Sequence, residues 1–187
     1  MRSLECAAAV FLAALLLASS PSAARETETL SPPPFAPAPF LGPAAPVLVS
    51  RVYASAARDD EFVEIANVGP IPLDLAGWAL TDREATATFP LDSILPAGGR
   101  FVVTRNATGY EEDLLGPADF AWESGNVRRM GGGILRLADA GDEVLLLNPD
   151  GAVVDAYAWG KSSYDGFGWT DRPAVRMGRG EIAIRQT

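Results

Sequence analysis

Three consecutive carboxylates, Glu111, Glu112 and Asp113, are potential ligands in this 187-residue chain, and Asp59 and Asp60 precede a strand-like run that opens on Glu61. Grouped hard oxygens are what Ca²⁺ requires, because it takes several at once. The spaced Asp/Asn/Gly pattern of a calcium loop is missing, so the triplet reads first as part of a solvated loop. Asp59 and Asp60 read as turn residues, with a carboxylate site shared with the "TDRE" run at 81–84 as the alternative. The chain has no histidine, which excludes a Ser-His-Asp triad, a Cys-His dyad and imidazole ligation within it. Its one cysteine, Cys6, lies in a segment expected to be removed, leaving neither disulfide nor thiolate chemistry. Catalysis by paired carboxylates remains open in principle, and no pair is singled out. The residues thus assign no catalytic group, no metal ligand and no cofactor site, and the expectation is a protein that is not an enzyme.

Charge narrows the partners. With 15 Lys+Arg against 24 Asp+Glu the net charge is −9, unsuited to a general nucleic-acid partner, since binding of that kind rests on cations neutralising phosphates. The C-terminal stretch runs against this balance, setting Tyr164, Phe167 and Trp169 among glycines before Arg172, Arg176, Arg179 and Arg185, with Glu181 as the late acid. Interleaved aromatic and basic residues can form a nucleic-acid or polysaccharide surface. The overall acidity favours an extension packed on the folded body instead. Asn106 opens an "NAT" triplet, the acceptor pattern for N-glycosylation, which is relevant only to an exported chain.

The address is legible at the N-terminus. Arg2, an apolar run from about Cys6 to Ala18 and then small residues reproduce a secretory signal peptide, expected to span 1–24 with cleavage after Ala24. The apolar run is shorter than the ~20 residues that span a bilayer. An uncleaved anchor is the alternative and would be the chain's one route to a membrane. Residues 25–46, "RETETLSPPPFAPAPFLGPAAP", form a Pro-rich linker in which fixed φ and missing donors stop helix and sheet alike. A stiff spacer is expected there, with a proline-tract ligand as the competing reading.

From Val47 onward short apolar runs alternate with Gly, Pro, Asn and Asp, the rhythm of an all-β fold. Strands are expected at 47–53, 61–67, 77–82, 85–89, 100–105, 143–148 and 152–159, which suits a sandwich. Asp150 and Gly151 predict a tight hairpin, Gly98 and Gly99 a turn into the fifth run, and Pro70 and Pro72 an irregular crossing between sheets. Alternation places Val63 and Ile65 on one face with Glu64 opposite, and pairs Trp78 with Leu80 at the core edge. Helix is expected only as one or two turns within 109–116. The 110–133 stretch reads as a Gly-rich insert in which Trp122 covers one end of the sandwich, with exposure for binding as the alternative. "GEIAIRQT" alternates Ile182 and Ile184 as a strand does, and its position at the chain's end raises the expectation of a truncated product or a longer architecture.

Three ordered motifs, "EFVEIANVGPIPLDLAGWALTD", "ILPAGGRFVVT" and "GDEVLLLNPDGAVVDAYAWG", together resemble the lamin-tail domain family over about residues 47–160. The resemblance implies an immunoglobulin-like β-sandwich at 47–160, followed by a C-terminal extension at 161–187. Asn67, Gly77, Trp78, Asp82, Gly141, Asp142, Gly151 and Asp155 match its pattern as turn, packing and hydrogen-bonding positions, and it carries no catalytic residue across. Prokaryotic modules of this kind are secreted or surface-bound, often attached to nuclease or phospholipase D-like domains. The expected function is a secreted or cell-surface binding or scaffolding module whose partner is a protein or an envelope component. The alternative is the non-catalytic leading part of a phospholipase D-like or nuclease-type enzyme, since no His-x-Lys-x4-Asp motif is present.

Overall fold

The computed structural model describes residues 46–56, 58–114, 116–169 and 177–185. The expected signal peptide, and all of the expected linker except Pro46, lie outside the described residues. The first half of the fold runs β1 (Val47–Tyr53), β2 (Phe62–Asn67), β3 (Leu73–Asp74), β4 (Ala79–Thr81), β5 (Thr86–Thr88), β6 (Ile94–Leu95) and β7 (Arg100–Asn106). Helix α1 (Ala107–Leu114) comes next, then β8 (Phe120–Ser124), β9 (Arg128–Arg129), β10 (Gly131–Gly132), β11 (Gly141–Leu147), β12 (Val153–Gly160) and β13 (Ala183–Ile184). Two sheets result, ordered β13-β1-β2-β7-β8-β9 and β10-β5-β4-β11-β12, with β3 and β6 as a separate two-stranded ladder. The all-β, immunoglobulin-like sandwich expected from the sequence is the architecture found.

Period-2 alternation builds the interior. Val49, Val63, Ile65 and Val103 of the first sheet meet Leu80, Val144, Leu146 and Trp159 of the second in one buried cluster. Each large aliphatic buried this way contributes roughly 1.5–3 kcal/mol. On the outer face of the first sheet, Phe62 packs against Tyr53 and, edge-on, against Tyr110 of α1, forming a second, smaller cluster. β2 is consequently buried on both faces. Pro70 and Pro72 lie where the chain leaves β2 in one sheet for β4 in the other, as their missing donors require. The third run starts later than expected: Gly77 and Trp78 form a turn, with Trp78 N–H on the Leu75 carbonyl at 2.9 Å, and the strand begins at Ala79. Trp78 is half-buried against the core edge.

A bulge governs β12. Asp155 stands opposite Leu146 and Val153 opposite Leu147, so Val154 is an extra residue. Val154, Tyr157 and Trp159 thereby join the main core, while Val153 and Ala156 face outward with Leu145. The hairpin before it turns as expected at Gly151 (φ 78°). Asn148 organises that turn, its side-chain oxygen accepting the amides of Asp150 and Ala152.

The 110–133 insert differs from its expectation. It supplies β8, which runs parallel to β7, then β9 and β10, through which the chain passes from one sheet's edge to the other's. Trp122 is in β8 and fully buried in the main core rather than in a covering loop, because Phe120 and Trp122 alternate inward. Its indole N–H has no acceptor, whereas Trp159 donates to the Ala138 carbonyl at 2.9 Å. Replacing each tryptophan by Phe separates area from hydrogen bonding. In urea unfolding Trp159→Phe is expected to cost about 1 kcal/mol more than Trp122→Phe, since it also orphans a carbonyl whereas Trp122→Phe removes an unpaired donor.

Candidate functional site

The polar motif residues are consumed by backbone. Asn67, buried where β2 ends, donates to the carbonyls of Ile71 (2.8 Å) and Leu95 (3.2 Å) and accepts the Gly69 amide (2.9 Å). Asp82 accepts the amides of Glu84 (3.0 Å), Ala85 (2.6 Å) and Arg136 (2.8 Å), tying the β4–β5 turn to the strand-like 134–137 passage. Asp142 accepts Ala138 (2.9 Å) and Glu143 (2.9 Å), and burial pushes its carboxyl up to about 6 against those two bonds. Gly77 (φ 77°) makes the turn into β4, and at Gly141 a Cβ would fall 1.8 Å from the Lys161 amide nitrogen, so no other residue fits. Asn106 caps α1, its side-chain oxygen facing the amides of Thr108 and Gly109.

The end of the sandwich near α1 is charged. Arg105 pairs with Asp59 at 2.9 Å, approaches Glu61 at 3.6 Å and bonds Glu123 through Nε. Burial pushes the Glu61 carboxyl up to about 7, opposed by Arg105 and reinforced by Asp59, Asp139 and Glu123. Glu112 and Asp113 of the acidic triplet pair with Arg58, while Glu111 is exposed. Asp60 is buried and accepts the Arg58 amide, and Asp59 takes the left-handed turn conformation (φ 58°). Among the described residues no three acidic side chains converge as a metal would require. Two further buried acids went unflagged in the sequence. Glu64 is held between Arg51, Arg100 and Ser50, and Glu143 between Arg83 and Ser162. Cross-strand pairing of opposite charges was their one sequence signal, and it needs the register to be known.

The opposite end is apolar. Val68 (60%) and Ile71 (64%) are exposed on the β2–β3 connection and Ile94 (50%) on β6, and the Asn67 side chain joins these two elements through the Ile71 and Leu95 carbonyls; Leu91 (79%) is exposed on the β5–β6 connection, where its carbonyl and that of Asp92 accept Arg128. Pro70, Pro72 and Pro96 are exposed beside them.

The profile of the Lamin Tail Domain family matches residues 42–161, well over half of the chain. The chain belongs to the lamin tail domain family. No curated protein matches it. Among solved structures, that of a DUF4876 family protein from Bacteroides thetaiotaomicron aligns with a TM-score of 0.49 at 13% identity, covering 64% of this chain and 55% of that one. This chain therefore spans about half the length of that protein.

The C-terminal extension closes the lamin tail domain along one side. Its two sheets leave β1 and β12 as neighbouring edges, and the Val49 amide donates across them to Asp155 at 2.7 Å. Gly168 (φ 85°) lies against β12, its carbonyl accepting the Ala156 amide, with no space for a Cβ beside Asp155. β13 adds to β1, and Arg185 bonds the Val49 carbonyl, the Asp155 carboxylate (3.0 Å) and the Ala156 carbonyl while lying over the rings of Tyr157 and Trp169. The extension is therefore packed on the sandwich, as its composition suggested. Within it Ala183 packs on the main core and Ile182 on the smaller cluster while Ile184 is exposed, and Arg185 finds a carboxylate and two carbonyls. Of the other arginines expected in this stretch, Arg172 and Arg176 lie outside the described residues.

Arg185→Leu should lower unfolding free energy by about 3 kcal/mol, leaving Asp155 buried beside no cation, and Asp155→Asn in the same chain should recover most of the loss in a double-mutant cycle. The pH response has a definite sign. Because the folded-state Glu61 titrates near 7 rather than 4.5, the folded chain holds a proton between those values that the unfolded chain has lost. That group's contribution to stability therefore grows as pH falls from about 7 toward 4.5, and its charge costs stability above 7. Glu61→Gln should raise the urea midpoint at pH 8 and reduce its rise between pH 8 and pH 5, Asp142 and Asp155 retaining the remainder.

Proposed function

We propose that this lamin tail domain is an exported, non-catalytic binding module that engages a protein partner through its apolar end. One observation carries the reading: Val68 and Ile71 on the β2–β3 connection and Ile94 on β6, the two elements that Asn67 joins, stand exposed, flanked by exposed prolines. Contiguous aliphatic surface on a soluble domain marks an interaction site, and loops held by a rigid scaffold are where such sites are built. The scaffold is rigid here for a stated reason, since Asn67 fastens the β2–β3 connection to β6 from within. Three carboxylates that could have served chemistry point the same way, since Asp82, Asp142 and Asp155 already accept backbone amides. An N-terminal export signal and a proline-rich spacer would present the module at a distance from its point of attachment.

The test is a pull-down of solubilised cell-envelope proteins by the full chain. Ile71→Asp combined with Ile94→Asp should reduce capture at least tenfold with an unchanged thermal midpoint, while Arg58→Ala, at the charged end, leaves it intact. Capture that depends on Arg58 and ignores Ile71 and Ile94 would refute the apolar end as the contact.

A further inference from the structure

The chain enters the sandwich at its apolar end. Pro46 is the first described residue, its carbonyl accepts the Val68 amide at 2.7 Å, and its ring fills the space where a Cβ on Gly69 would fall, at 2.4 Å. Whatever precedes Pro46 therefore leaves from beside Val68, one connection away from Ile71 and next to the ladder that carries Ile94. The 45 residues on that side end in "SPPPFAPAPFLGPAA" (31–45), which contains no charged residue and, after Ser31, no polar side chain. Phe35, Phe40 and Leu41 are its large apolar groups. The family match begins inside this tract, at residue 42, ahead of the first strand.

We propose that residues 35–45 dock in cis on the apolar end, with Phe40 and Leu41 covering Val68, Ile71 and Ile94 and Phe35 reaching toward Leu91. Four physical arguments support this occupant. A polyproline II segment advances about 3.1 Å per residue, so Phe40, six residues before Pro46, reaches roughly 19 Å and Phe35 roughly 34 Å, enough to cross one end of a small domain. Proline has already removed much of the conformational entropy that docking would cost, the same advantage that recognition of Pro-rich ligands exploits. The short tether gives an effective concentration on the order of millimolar, so a contact too weak to hold two molecules together suffices within one. The uncharged tract and the aliphatic surface are also complementary in kind: each alone would expose apolar area to water, and together they remove it. The proposal rests on the reading of this end as a binding surface and adds regulation to it, because a partner must displace the chain's own segment to bind.

The experiment uses the full chain carrying Cys6→Ser and Ala38→Cys with a nitroxide on the new thiol, and reads relaxation broadening of methyl resonances. Methyls of Val68, Ile71, Leu91 and Ile94 should broaden at least fivefold more than that of Ala107 at the charged end, independently of protein concentration. Uniform or negligible broadening would overturn the proposal, as would broadening that appears only when labelled chain is mixed with a separate methyl-labelled chain, the mark of a second copy as occupant. Phe35→Ser with Phe40→Ser should abolish the selective broadening and raise fluorescence of the apolar dye 8-anilinonaphthalene-1-sulfonate severalfold, and adding Ile71→Asp and Ile94→Asp should reverse that gain. The two failures are distinguishable. Selective broadening without capture of envelope protein by the Phe35→Ser/Phe40→Ser chain supports docking and sinks the partner reading, whereas capture that depends on Ile71 and Ile94 without broadening sinks docking alone.

Discussion

A buried carboxylate that accepts one sheet's amide from the other sheet's edge strand is the constraint around which this fold is arranged. Asp155 stands on β12, and its oxygen takes the Val49 amide of β1 at 2.7 Å, which fixes how the two edges meet. A carboxylate in that position is destabilising unless its remaining valence is met. Burial accordingly drives its carboxyl up to about 6 even with the Arg185 charge and backbone donors opposing. Arg185 is therefore no ornament on a tail: it neutralises the group that joins the sheets, and the extension that delivers it becomes part of the domain. The β12 bulge belongs to the same solution, since the extra residue turns Asp155 inward with Tyr157 and Trp159 while Val153 faces out.

Much of this was legible in sequence where one residue's type decides one residue's place. Val63 and Ile65 went inward and Glu64 outward because a strand's period is two, and Trp78 marked the core edge because a half-buried aromatic at a turn has few other uses. Pro70 and Pro72 announced the change of sheet through a missing donor. The insert was misread for an equally physical reason. Gly-rich, charged sequence between motifs resembles a loop, but Phe120 and Trp122 in alternation are a strand, and pairing parallel to β7 leaves no hairpin turn to betray it. The terminal strand was legible in the alternation of Ile182 and Ile184, but the ion pair that fixes it was not, because Arg185 meets an Asp155 that lies far back along the chain.

The candidate surfaces were nearly invisible for a common cause, which is distance along the chain. Arg105 and Glu61 come together because β2 and β7 pair antiparallel, with Phe62 opposite Thr104 and Glu61 one step beyond; nothing in a run of residues encodes that meeting. The apolar end is assembled from the β2–β3 connection and β6, whose side chains each look like ordinary strand-end residues. Their adjacency depends on Asn67 reaching across to Leu95, a long-range bond from a residue that sequence alone could place only in its own turn. Site residues defined by motif thus turned out to be fasteners, and the surfaces they fasten carry no motif.

This division of labour shows what acids do in an acidic, histidine-free chain. Carboxylates serve here as fixed acceptors for backbone amides at turns and crossings, and an acceptor already satisfied by two or three amides is a poor base and a poor ligand. Using acids this way rigidifies connections that would otherwise fray, as Asp82 does between β4 and β5 and Asp142 before β11. Rigid connections can then hold aliphatic side chains in water without collapsing onto the core, which a flexible loop would do to bury the same area. The two ends of the sandwich differ in kind: one gathers the ion pairs of Arg58 and Arg105, and at the other an uncharged amide joins the β2–β3 connection to β6 beside exposed aliphatic side chains.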